Sequence, residues 1–147
     1  YWPDFDASTQ ERGFFGFDKK EDVKYILISE KGCADPSAEY SLELADGLLP
    51  LDIHTFDKDA FILENEQVHK VTLYTKEKKA CLSLHFHTPV VGLWSPPAKN
   101  APFVCIEPWY GRCDRAHYTG EYKDKDWMQH LHPDKTFKGG YTNAIVE

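Results

Sequence analysis

The sequence of 147 residues predicts an all-β fold, an antiparallel β-sandwich, and two observations carry that reading. Short runs rich in β-branched and aromatic residues recur along the chain, separated by polar turns. Helical periodicity is confined to one short stretch, so strands must supply the core.

Residues 14–17 and 23–28 read as two strands around an acidic, lysine-containing turn, and Lys31-Gly32 ends the second. Asp35-Pro36-Ser37 is a turn signal. Tyr40, Leu42 and Leu44 then alternate with Ser41 and Glu43, the pattern of a half-buried strand, which ends at Asp46-Gly47. Leu48-Leu49-Pro50-Leu51 is apolar, but Pro50 removes a ladder donor and demotes it to an edge or a crossover. Residues 61–63, 68–74 and 80–86 continue as strands, with Lys76, Lys78 and Lys79 in a solvated hairpin turn. Trp94-Ser95-Pro96-Pro97 reads as a rigid aromatic turn. Residues 123–132 suggest two turns of helix, with Trp127 and Leu131 four apart on one face, stopped by Pro133. Residues 141–146 supply a closing strand.

A chain of this length suits one packed domain, taken as residues 1–147. The net charge of -7 argues against a nucleic-acid partner, because phosphate binding needs a basic footprint. No stretch approaches the apolar length that spans a bilayer, and the polar, aromatic start does not read as a signal peptide. Cys33, Cys81, Cys105 and Cys113 form no Cys-x-x-Cys pair; they read as free thiols in a reducing cytoplasm, with a Cys105–Cys113 disulfide the less favoured alternative. The chain begins at Tyr1 and its only methionine is Met128, so it is expected to be processed, cleaved or part of a longer sequence.

The stretch Phe103-Val104-Cys105-Ile106-Glu107-Pro108-Trp109-Tyr110-Gly111 holds the chief candidate residue. It opens as a strand, and Pro108 keeps Glu107 extended at the strand end. A carboxylate fixed beside Trp109 and Tyr110 suits a base next to a sugar-stacking surface; the alternative is a surface Glu that caps a strand. Asp57 and Asp59 lie two apart, so an extended backbone points both the same way, whereas a turn leaves them as solvated acids. His85-Phe86-His87 places two imidazoles on one strand face, but no acid follows as a cupin-like metal site requires, and no metal is assigned. Trp94 is either a lid on the sandwich or a second surface for sugar.

Cys105-Ile106-Glu107-Pro108-Trp109-Tyr110-Gly111 resembles the C-terminal signature of aldose 1-epimerase-like proteins, the galactose mutarotase superfamily. Phe56-Asp57-Lys58-Asp59-Ala60-Phe61-Ile62-Leu63 is similar to the family's Phe-x-x-Asp-Ala strand start, and Val91-Gly92-Leu93-Trp94-Ser95-Pro96 to its aromatic turn. With the closing strand, the resemblance spans about residues 14–147 and implies the C-terminal part of a galactose mutarotase-like supersandwich. It implies interconversion of the α and β anomers of a free aldose without a cofactor, with Glu107 as general base and Asp59 orienting substrate hydroxyls. Trp109 and Trp94 are the stacking candidates, and the absent N-terminal segment of the same protein is an expected partner. The family's catalytic histidine lies in a His-Pro-x-Phe segment; Trp2-Pro3-Asp4-Phe5 keeps Pro-x-Phe but has Trp2 in the histidine's place. The rival readings are a non-catalytic carbohydrate-binding module and a two-carboxylate glycosidase using Glu107 with Asp59.

Overall fold

Alternate apolar side chains along nearly every strand close on one another between two five-stranded antiparallel sheets. A computed structural model describes residues 1–146; Glu147, placed by the sequence reading in the closing segment, lies outside the described residues. The strands are β1 (Glu11–Phe17), β2 (Lys24–Ile28), β3 (Ala34–Ser41), β4 (Leu48–Asp52), β5 (Phe61–Leu63), β6 (Lys70–Tyr74), β7 (Ala80–Phe86), β8 (Val90–Trp94), β9 (Cys105–Trp109) and β10 (Tyr141–Ile145). One sheet has the order β10-β7-β6-β1-β4 and the other β3-β2-β5-β8-β9. Phe15 and Phe17 of β1, Val71 and Leu73 of β6, and Leu84 and Phe86 of β7 face inward from the first sheet. Phe61 and Leu63 of β5 and Val91 and Leu93 of β8 meet them from the second. The period of two in each strand is what delivers these residues to one face. The fold is thus the all-β sandwich that the sequence predicts.

Each of the three prolines within a strand lies on an edge strand: Pro36 in β3, Pro50 in β4 and Pro108 in β9. A residue without an N–H is tolerated where one side of the strand has no partner. The edge assignment made for Pro50 holds, whereas the turn expected at Asp35-Pro36-Ser37 does not. Ser37 does bond Asp35 Oδ1, through its N–H at 3.1 Å and its hydroxyl at 2.5 Å, as in a turn. Pairing with β2 nonetheless runs on either side of that contact, with a register shift between Tyr25 and Leu27. The strand expected to reach Leu44 stops at Ser41, although Leu42 remains buried and bonds Val23 O at 2.8 Å.

The helix expected over residues 123–132 is also absent: a single 3-10 turn covers Tyr122–Asp124, and Trp127 has a φ of 60°. Asp126 and Trp127 are held there by Arg112, just after β9, and Glu64, just after β5, which a continuous helix would pull away from. Among the described residues no helix is long and apolar enough to cross a membrane.

Trp2 pins the start of the chain to the core. It is 5% exposed, its indole N–H donates to Ala101 O at 2.9 Å, and its backbone N–H to Pro102 O at 3.0 Å. Trp2→Ala should therefore lower stability by about 3–5 kcal/mol, the usual cost of deleting a buried aromatic, as measured by urea denaturation.

Candidate functional site

The second sheet is apolar on both faces, and its outer face carries the candidate residues. Alternation sends Val91, Leu93 and Ile106 into the core and turns Val90, Trp94 and Trp109 outward. Pairing registers lay this outer face out in rows. Ile26, Ile62, Gly92 and Glu107 form one row across β2, β5, β8 and β9. Trp94 opposite Cys105 forms the next, and Val90 opposite Trp109 flanks the first on the other side. Glu107 is half-buried and stands between two indole-bearing rows.

Trp109 can lie flat here only because residue 92 is glycine. A Cβ at Gly92 would stand 2.5 Å from Trp109 Cζ2 and 2.6 Å from Cη2, inside any tolerable contact. The indole therefore rests on the β8 backbone beside Glu107. It also borders an open concavity of about 530 Å³ lined by Pro108, Tyr110, Gly111, Arg112 and Cys113. Trp94 ends β8 rather than forming the expected turn, and its ring faces Phe103 at 6.4 Å between centroids. Cys105 precedes Glu107 on the same face, so the Glu107 carboxylate acts on its thiol. Burial and then that negative charge push the Cys105 thiol above its ordinary pKa.

Asp59 lies beyond the Trp94 row, at the start of β5. Its φ is 75°, and its Oδ1 accepts the Ala60 N–H at 2.7 Å while its own N–H closes a turn on Phe56 O at 2.9 Å. The backbone is a turn, so Asp57 and Asp59 do not form an extended, same-facing pair. Asp57 Oδ2 instead meets His54 Nδ1 at 2.9 Å, and Asp52 Oδ1 accepts the His54 N–H at 2.8 Å. Strand spacings put Asp59 about 10 Å along the sheet and about 10 Å across it from Glu107, with Trp94 in between.

Arg112 is placed where it meets two carboxylates other than Glu107. Its side chain is 1% exposed; Nε bonds Glu64 Oε1, and Nη2 bonds Asp126 Oδ2 at 2.7 Å. Arg115 bonds the other oxygen of Asp126, and the Trp127 indole N–H donates to Glu64 Oε1 at 2.7 Å. Burial opposes the charge on Arg112, yet the hydrogen bonds and charges of Glu64 and Asp126 prevail and hold its pKa above the ordinary arginine value. Glu64 and Trp127 escaped the sequence reading because the pairing spans 63 residues. Gly92, a glycine inside a strand, did carry a legible sign of close backbone approach.

His85 lies on β7 and His87 one residue past its end, so the expected pair on one strand face is not formed; both are exposed and line an open cavity of about 630 Å³ with His69 and Asp18. His69 and His87 meet with ring centroids 5.0 Å apart and planes tilted by 42°. Among the described residues no group of three or more His, Cys, Asp or Glu is arranged to hold a metal ion. Trp2 belongs to the inter-sheet core and not to the outer-face cluster of Trp94, Trp109 and Trp127.

Comparison with known proteins agrees with this fold. No protein-family model matches the chain. The plasmid and chromosomal forms of protein LacX of Lactococcus lactis subsp. lactis are each 30% identical over 99 residues, 67% of this chain and 33% of theirs. A galactose mutarotase related enzyme from Lactobacillus acidophilus superposes with a TM-score of 0.83 at 28% identity, over 99% of this chain and 49% of that one. A galactose mutarotase-like protein from Lactobacillus casei ATCC 334 shares the fold with a TM-score of 0.71 at 21% identity, over 88% of this chain and 43% of its own. The matched region is thus about a third of the curated relatives' length and under half of each solved chain.

Gly92→Ala should force the Trp109 indole off the strand, at a cost of about 1–3 kcal/mol for overpacking. Urea denaturation measures the loss, and Trp109 emission, with Trp109→Phe as the reference, reports the displacement. A raised pKa leaves less thiolate at a given pH. Cys105 should therefore react with iodoacetamide more slowly at pH 8 than an unstructured peptide thiol. Glu107→Gln removes the neighbouring charge and should speed that reaction, followed by mass mapping of the Cys105 peptide.

Proposed function

Starting from a galactose mutarotase-like β-sandwich, we propose that this chain carries the base side of an aldose 1-epimerase site, where α and β anomers of an aldose interconvert by ring opening. The observation that carries the reading is the placement of Glu107, half-buried on an outer sheet face between Trp94 and Trp109. In this mechanism Glu107 takes the proton of the anomeric hydroxyl while a second group protonates the ring oxygen. The ring C–O bond then breaks to give the open-chain aldehyde. The carbonyl turns its other face, and the same groups reverse the steps. Proton transfer alone carries the chemistry.

A sugar resting on Trp94 would lie between Glu107 and Asp59, and its hydroxyls would reach the carboxylate oxygen of Asp59 not engaged with Ala60. Trp109, on the opposite side of Glu107, would give the sugar a second indole to stack against. The proton donor to the ring oxygen is not assigned within this chain, because Trp2, which aligns with the expected histidine, is a core residue. We propose that the donor comes from outside the matched stretch. Four unpaired cysteines suit a reducing, cytoplasmic setting.

The two-indole platform also supports a second reading, a module that holds a sugar without turning it over. Polarimetry on freshly dissolved glucose or galactose separates the two. The epimerase reading expects acceleration that Glu107→Gln reduces by about a hundred- to ten-thousand-fold. Sugar binding with no acceleration would establish the module, and release of reducing sugar from a glycoside would point to hydrolysis instead.

A further inference from the structure

We propose that Arg112 is a positioning residue for Trp109, acting through Glu64 and Trp127, and that this clamp sets the indole against which the sugar stacks. The proposal rests on the sugar-binding reading of this face. Strand β9 is an edge strand, bonded only to β8, so nothing in the sheet itself holds its outer side. After Trp109 the chain turns at Gly111, whose φ of 139° is a conformation that L side chains rarely adopt. That turn brings Arg112 back over the outer face of the second sheet. There its guanidinium reaches Glu64, one residue beyond β5, and so bridges from β9 across β8 to β5.

The bridge is fixed at both ends. Nη1 of Arg112 donates to Cys113 O at 2.9 Å, Nε is committed to Glu64 and Nη2 to Asp126. Glu64 accepts the Trp127 indole N–H through the same oxygen that meets Arg112. Trp127 and Trp109 both pack against the strip formed by Ile26, Ala60, Ile62 and Val90. Two arginines and two carboxylates balance, so the Arg112 fork is buried within a neutral cluster whose outer member, Arg115, is 47% exposed. Apolar residues of similar volume would cover the face as well or better. What they would lack is direction: a planar fork bonded at three points fixes the strand end, and with it the indole three residues earlier. Holding a stacking surface rigid before the ligand arrives is how a site avoids ordering it on binding.

The test uses the whole chain with 15N-indole tryptophan, in which Trp109→Phe assigns one of the four indole N–H signals. Arg112→Lys keeps the charge but loses the fork, and Glu64→Gln keeps an acceptor but loses the charge. The clamp predicts that both move the Trp109 signal while the Trp2 signal stays. It also predicts a rise in the Kd for glucose or galactose, titrated on the indole signals, of roughly three- to tenfold, the worth of one aromatic contact. An unmoved Trp109 signal in both variants overturns the proposal, and so does a moved signal with Kd unchanged. Should the ion-pair variants fail to fold, Trp127→Phe keeps both salt bridges, removes only the indole donor and faces the same comparison. A parent protein whose indole signals ignore glucose and galactose overturns the sugar-binding reading itself, whatever the variants do.

Discussion

A strand at the edge of a sheet has hydrogen bonds along one side only, and the candidate site depends on one such strand being held like an interior one. Strand β9 presents Cys105, Glu107 and Trp109 on a single face. Two contacts beyond its ladder to β8 fix that face. The Trp109 ring lies on the Gly92 backbone, and Arg112 ties the strand's exit to Glu64. Each removes a freedom that an edge strand otherwise keeps. Together they make a carboxylate flanked by two indoles a fixed feature of the surface.

The same contacts answer a problem of burial. Ile26, Ile62 and Val90 are at most 4% exposed, although they point away from the core between the sheets. The segment after β9 covers them by crossing the outer face and bonding to Ala34 of β3 from Asp114 and Ala116, at 2.8 Å in each case. Trp127 and Arg112 are the parts of that segment which reach the sheet, and their polar atoms are met there by Glu64 and Asp126. Burying those polar groups without partners would be costly, so the cover and the ionic cluster form as one unit. An organised wall beside Glu107 therefore follows from how the second sheet hides its outer face.

The similarity to galactose mutarotase related proteins concerns the fold and its arrangement of strands. This chain matches under half the length of the solved relatives, and what it shares with them includes the strand that bears Glu107. On the proposed reading, Glu107 is the base half of an acid/base pair, and the donor to the ring oxygen stands outside the assignment.

Much of the architecture was legible in the residues themselves. Short runs of β-branched and aromatic residues between polar turns named strands β5, β6, β7 and β10 nearly to their ends, and Pro50 marked an edge, because residue type and a missing N–H are local properties. Glu107, Pro108 and Trp109 stood out as a unit for the same reason. Where the reading failed, distant parts of the chain decided the outcome. Asp35-Pro36-Ser37 has the chemistry of a turn but is drawn into an edge strand by β2, and residues 123–132 have helical spacing but are unwound by Arg112, Arg115 and Glu64. The sequence by itself determined which side chains share a strand face. Only the tertiary structure decided which faces meet, since an ion pair between positions 64 and 112 leaves no trace in either neighbourhood.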